Sequence, residues 1–304
     1  MRRSMTALAV AAAVALLAGC GDDGGEVRSA GGGSSSGTGS SGSGSGLSGS
    51  DLGTQSADKD VTAAATAYKA YVTGEVTRLR AATKKFTDAV RAGDLAAAKR
   101  QYAPSRVSWE RIEPIAGLVK EIDGKVDARV DDFASESDPK WTGWHRLEYL
   151  LWVRKTTAGG KPFADQLDAD IGTLQTRLKT LEITPKAVAL GAGELIEEVS
   201  EGKITGEEER YSRTDLWDFA ANVEGSKAAY GVFRKVLAAR DAALVKALDE
   251  RFASVEASLR PYRTAGGGYQ PYTALRPADK TRMQAQLASL SEELAKLPAA
   301  LGVS

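Results

Sequence analysis

From Asp58 to Leu297 the apolar positions recur at helical spacing. Ala64, Ala67, Tyr68, Tyr71, Val72 and Val76 open the pattern, and their intervals place them on one face of a helix. No long stretch alternates with period two, and no Val/Ile/Thr-rich strand cluster interrupts. Ala, Leu, Glu, Lys and Arg, all strong helix formers, fill the spaces between. The pattern predicts helices over about 59–92, 94–120, 123–133, 141–154, 163–181, 185–200, 215–240, 242–259 and 278–297. Asp94 is a good N-cap for the second of these. Pro104 predicts a kink or interruption in it, and Pro114 a further bend. The tract 260–276 holds Pro261, Pro271 and Gly266-Gly267-Gly268, which predicts an irregular loop. Helices of this length joined by short connections predict an all-α fold of two packed antiparallel helical bundles.

The amino-terminal part reads differently. Arg2 and Arg3 precede an apolar core, Ala7 to Leu17, which ends in Leu17-Ala18-Gly19-Cys20. A basic start, a short apolar run and small residues before a cleavage point describe a secretory signal. The end of that run resembles a bacterial lipobox, with Cys20 as the lipidated first residue of the mature chain. Residues 1–19 are thus expected to be a lipoprotein signal peptide. Residues 20–57, nearly all Gly, Ser, Thr and Asp, cannot bury enough apolar surface to fold and are expected to form a disordered Gly/Ser tether. Residues 58–304 are expected to form the helical domain. The chain would then be exported and face the extracytoplasmic side of the cell membrane, held there by lipid at Cys20.

Cysteine and charge narrow the chemistry. Cys20 is the only cysteine, so no disulfide can form within the chain. Basic and acidic residues balance at 40 each, and loss of Arg2 and Arg3 with the signal leaves a slight negative excess. That is the wrong balance for nucleic acid, which calls for a basic stripe. The folded part is expected to be a monomer.

His145 is the only histidine. It stands three residues before Glu148, on the same helix face, within a run flanked by Trp141, Trp144, Leu147, Tyr149, Leu150, Leu151 and Trp152. A helix apolar nearly all round is buried on most faces, so an imidazole and a carboxylate there need partners. A satisfied core pair and a pair of metal ligands answer that need equally well. Glu110 and Glu113 form a second acidic pair, with Arg111 as a candidate partner that would make them surface charges. Asp127 and Asp131, with Asp132, form a third group. Glu194, Glu197, Glu198 and Glu201 form a fourth, which Leu195, Ile196 and Val199 mark as a solvated face. Metal sites in helical bundles are assembled from such inward carboxylates and a Glu/His pair. The His-Glu-x-x-His chemistry of zinc proteases needs two histidines and is excluded. No Gly-x-Ser-x-Gly elbow is present for a serine nucleophile.

The segment Trp141-Thr142-Gly143-Trp144-His145-Arg146-Leu147-Glu148 resembles the Gly-x-His-x-x-Glu signature of the imelysin-like family. Trp109-Glu110-Arg111-Ile112-Glu113-Pro114 and Tyr211-Ser212-Arg213-Thr214-Asp215-Leu216-Trp217-Asp218-Phe219 are similar to two further blocks of its EfeO-type branch, in the same order. The resemblance covers about residues 60–297. It implies a two-bundle fold and a metal site at His145 and Glu148, with Glu110, Glu113 and Asp127 as further ligands and Glu198 and Glu208 as weaker candidates. It implies iron as the metal; by ligand chemistry, carboxylate oxygens with one imidazole also fit zinc or manganese. As partners it implies a membrane iron permease and a haem peroxidase. Some members carry an amino-terminal cupredoxin-like domain; here that place holds the Gly/Ser segment, without ligands for copper. Arg213 stands where relatives often have histidine.

The expected function is a lipid-anchored, extracytoplasmic iron-binding component of a bacterial iron uptake system, and not an enzyme. The alternatives are a metal-dependent peptidase, or a module that binds polysaccharide or haem through a bridging cation.

Overall fold

The computed structural model describes residue 53 and residues 55–303. The signal segment, Cys20 and nearly all of the Gly/Ser segment lie outside these residues. The described residues are helical, with one isolated bridge between Arg263 and Tyr269 in place of any strand. The α-helices are α1 (Lys59–Arg91), α2 (Leu95–Ile112), α3 (Lys120–Val126), α4 (Gly143–Trp152), α5 (Lys161–Thr180), α6 (Pro185–Glu201), α7 (Asp215–Arg240), α8 (Ala242–Leu259), α9 (Pro277–Leu294) and α10 (Leu297–Leu301). Short 3-10 turns cover Glu113–Val119, Val130–Asp132, Lys203–Thr205, Arg260–Tyr262 and Tyr272–Ala274.

Side chains at the predicted starts satisfy the free amides of the first turn. Asp58 accepts from the amides of Asp60 and Val61, Asp94 from Ala97, Thr184 from Ala187 and Asp241 from Leu244. The sequence pattern places α7 and α8 correctly to the residue. Two expectations need correction. First, α2 runs through Pro104 and ends at Ile112. Pro114 then stands in the first turn of a 3-10 segment, where its missing N–H has no helical partner to lose. Second, the helix expected over 123–133 stops at Val126. Asp127 is its C-cap, and Asp131 lies in a separate 3-10 turn. The two aspartates therefore do not share a helix face.

Helices α1, α2 and α5, with the short α3 and α4 against α5, make one bundle. Helices α6, α7, α8 and α9 make the other, and α7 packs on α1 and α2 between them. Tyr68, Leu79, Phe86, Tyr102, Trp109 and Trp144 are buried in the first, and Phe233, Leu248, Phe252, Leu287 and Leu290 in the second. The seam is close. A Cβ on Gly225 of α7 would lie 2.3 Å from the carbonyl oxygen of Arg111, so only glycine lets α7 approach α2 this nearly. No helix among the described residues is long and apolar enough to cross a membrane.

Candidate metal centre

The centre forms where α2, α3, α4 and α7 meet the segment between α6 and α7. Helix α4 begins at Gly143, whose φ of +82° is left-handed and whose absent side chain leaves room for the carbonyl oxygen of Val126. This contact sets the start of α4 against the end of α3. His145, two residues into α4, consequently faces Asp127 at the cap of α3. Nε2 of His145 lies 3.3 Å from Asp127 Oδ1 and 4.0 Å from Glu208 Oε1. Nδ1 lies 3.3 Å from Glu148 Oε2, as the three-residue spacing predicts.

Glu148 is fixed from the other side. Its Oε1 accepts hydrogen bonds from the backbone amides of Tyr211 (2.9 Å) and Ser212 (2.6 Å). The Tyr211–Phe219 block thus contributes backbone to the centre before it contributes side chains. Arg213, in the left-handed region at φ +63°, turns that backbone; its own guanidinium bonds the carbonyl of Gly206. Glu209 is held by Ser212 Oγ at 2.8 Å and by Tyr102 at 3.3 Å.

Two cations that sequence reasoning overlooked lie among the acids. Arg106 is completely buried. It bonds Asp127, reaches Glu110 at 2.5 Å and Glu209 at 2.7 Å, and lies 3.5 Å from Asp218 and 3.7 Å from Glu208. Its guanidinium also packs on the Trp144 ring. Lys203 reaches Glu113 at 2.7 Å and Glu110 at 3.1 Å. Asn222 of α7 donates to both of these carboxylates. Arg106 was legible in principle, since it precedes Glu110 by one helical turn. Arg111, the partner considered from sequence, faces Glu224 and Glu75 instead. Lys203, Glu209, Asp218 and Asn222 carry no local signal.

Acids outnumber cations in this volume. Glu110, Glu113, Asp127, Glu148, Glu208, Glu209, Asp215 and Asp218 are all buried, against Arg106, Lys203 and His145. Burying carboxylates is costly unless each is compensated, and the titration of the groups reflects this. Burial pushes Asp218 and Glu113 well above the carboxylate range. Burial and the charge of Glu148 raise Glu209 to about 8. Asp127 opposes its own burial through Arg106 and His145 and is held well below the usual range. For His145, burial and Arg106 disfavour the charged ring, but the neighbouring carboxylates of Asp127 and Glu148 outweigh them and raise it to about 10.

Not every polar atom is satisfied. Both carboxylate oxygens of Glu208, both of Asp218 and Nε2 of His145 are buried without a hydrogen bond. Two sets of three residues bring their ligand atoms within 4.8 Å of one another: Asp127, His145 and Glu208, and His145, Glu148 and Glu209. Of the residues singled out from sequence, His145, Glu148, Asp127 and Glu208 converge. Glu110 and Glu113 lie adjacent, held by Arg106, Lys203 and Asn222. Glu198 is half-buried and feels the charges of Lys203 and Glu208, while Glu197 and Glu201 are exposed. The solvated face expected for that stripe holds for those two alone. Around Arg129, Val130, Trp141, Arg210 and Tyr211 a small pocket reaches His145, Glu148 and Glu208. Asp131, one of the acids considered from sequence, pairs there with Arg210.

An all-α fold around a buried His-x-x-Glu and carboxylate cluster is the architecture the sequence motifs imply. The imelysin family model (Peptidase M75) matches residues 64–297, and the chain belongs to that family. It is similar to the "Iron uptake system component EfeO" of Yersinia pseudotuberculosis serotype I (strain IP32953), with 49% identity over 237 residues, 78% of this chain and 63% of that one. It is also similar to the protein of the same description from Escherichia coli O157:H7, with 47% identity over 241 residues, 79% of this chain and 64% of that one. The chain thus spans a little under two thirds of the length of these relatives.

Proposed function

We propose that this protein is an iron-binding component of a bacterial iron uptake system, tethered through Cys20 on the extracytoplasmic side of the membrane. Asp127, His145 and Glu208 take the ion, and Glu148 and Glu209 support or complete its shell. Glu110 and Glu113 supply negative charge beside it, and Glu198 extends that charge toward solvent. The ion is cargo, passed to a membrane permease; a haem peroxidase is the further partner expected. The observation that carries this reading is the buried cluster in which Nε2 of His145 and both oxygens of Glu208 hydrogen-bond nothing while lying within reach of one another. Carboxylate oxygens with a single imidazole suit iron, manganese or zinc, and the lack of thiolates disfavours copper(I). The names of the relatives at 47–49% identity point the same way.

Iron titration of the mature protein, aerobic and anaerobic, tests the reading. Binding near one equivalent is expected, lost in His145→Ala and in Glu208→Gln. Iron binding like wild type in both variants would overturn it. The peptidase label of the family model favours a second reading, metal-dependent hydrolysis. Chelator-sensitive cleavage of casein by the purified protein would establish that reading.

A further inference from the structure

We propose that Lys203 is a resident cation: its ammonium fills a second cation subsite, built from Glu110, Glu113 and Asn222, and thereby limits the centre to one captured ion. The proposal rests on the metal-binding reading above and adds a position to it.

The surroundings of the ammonium are those of a bound ion. Nζ lies 2.7 and 2.8 Å from the two oxygens of Glu113 and 3.1 Å from Glu110 Oε2. Both carboxylates are wholly buried. Asn222 Nδ2 bonds Glu113 at 2.6 Å and Glu110 at 3.0 Å, which fixes the two acids in one arrangement. The cage is thus held by α2, the turn after it and α7, independently of the residue that fills it.

Glu208 supplies a separate observation. It is 1% exposed and neither oxygen makes a hydrogen bond. Its Oε1 stands 3.7 Å from Lys203 Nζ and 4.0 Å from His145 Nε2. Arg106 and Arg129 also stand 3.7 Å from its oxygens, so this carboxylate makes ion pairs without a hydrogen bond, and it lies between the ammonium and the imidazole, where a bridging ligand between two cations would sit. Lysine suits the role because its ammonium is a compact point charge on a flexible stem. Its carrier is a single 3-10 turn between Gly202 and Gly206. Without the ammonium Glu110 keeps Arg106, but Glu113 must either take a proton or take a cation, and the fixed, buried oxygen cage favours the cation.

Mn2+ binding to the mature protein, followed by its electron paramagnetic resonance signal, tests this. Wild type is expected to bind about one equivalent, Lys203→Met about two, and Lys203→Met/Glu113→Gln about one. Saturating Mn2+ is expected to raise the Tm of Lys203→Met more than that of wild type. If Lys203→Met folds only in Mn2+, the cation has replaced the ammonium and the proposal stands. Equal stoichiometry and equal Mn2+ stabilisation in wild type and Lys203→Met overturn it, as do two equivalents in wild type or failure to fold in excess Mn2+. No binding by wild type, with one Glu113-dependent equivalent in Lys203→Met, removes the iron-binding reading and leaves this subsite standing. No binding by either overturns both.

Discussion

The indole N–H of Trp109 donates to Oδ2 of Asp127 at 2.8 Å. That bond turns the other carboxylate oxygen, Oδ1, toward Arg106 and toward Nε2 of His145. A residue that reads as core packing thus orients a candidate ligand. Groups that orient ligands from outside the shell matter for affinity by roughly 10- to 100-fold. Trp109→Phe keeps the aromatic bulk and deletes the donor. Iron affinity is expected to fall by about tenfold or more, with a stability cost of about 1–3 kcal/mol from the unsatisfied carboxylate oxygen. Calorimetric titration beside urea unfolding checks both numbers; an unchanged affinity would remove Trp109 from the centre.

Arg106→Met tests the opposite charge. The guanidinium is fully buried among Glu110, Asp127, Glu209 and Asp218. Removing one partner of a buried ion pair costs about 3–5 kcal/mol, because the other charge is left without compensation. Arg106→Met is expected to lose at least that much at pH 7. The loss should shrink toward pH 5 as the stranded carboxylates take up protons. Denaturant midpoints at the two pH values report it, and a loss independent of pH would contradict the account.

Proton release should accompany metal capture. His145 is raised to about 10 and Glu209 to about 8, so both hold a proton at pH 7 before an ion binds. An imidazole ligates only when neutral, and a carboxylate when ionised. Binding at pH 7 must therefore expel protons, and apparent affinity is expected to rise by about tenfold per pH unit for each proton released. Calorimetry in buffers of different ionisation enthalpy counts those protons. A count of zero at pH 7 would show that His145 is not a ligand.

Gly225→Ala separates the fold from the site. The added methyl meets the Arg111 carbonyl at the α2–α7 seam, and overpacking of this kind costs about 1–3 kcal/mol. Asn222 is one turn away on α7 and bonds the backbone oxygen of Glu110 at 3.1 Å. Displacing α7 should therefore weaken metal binding as well as stability. Thermal unfolding and iron titration of the same preparation distinguish this from a purely local defect, which would lower Tm alone.

Much of the fold was legible because helix formation leaves a local record. The cap at Asp94 lies where the sequence calls for it, and Asp58, Thr184 and Asp241 cap helices that begin where the pattern places them. The exceptions are at the site. Pro104 is tolerated inside α2, and the segment after Val126 leaves the helix so that Asp127 can face His145. Of the centre, His145 and Glu148 could be read because they share a helix turn. Arg106 shares a turn with Glu110 and could have been read the same way. Lys203, Glu209 and Asp218 could not, since no spacing relates residues on separate elements.

The sequence by itself determined most of the helices and the His145–Glu148 pair, because each follows from periodicity. Only the tertiary structure decided which acids turn inward and which cations meet them. Glu110 and Glu113 are neutralised by Arg106 and Lys203, the lysine lying 93 and 90 residues away along the chain. Glu208 is left without a hydrogen bond. Ion pairing depends on distance through space, and burial multiplies its strength by excluding water. Neither quantity is encoded in the neighbours along the chain.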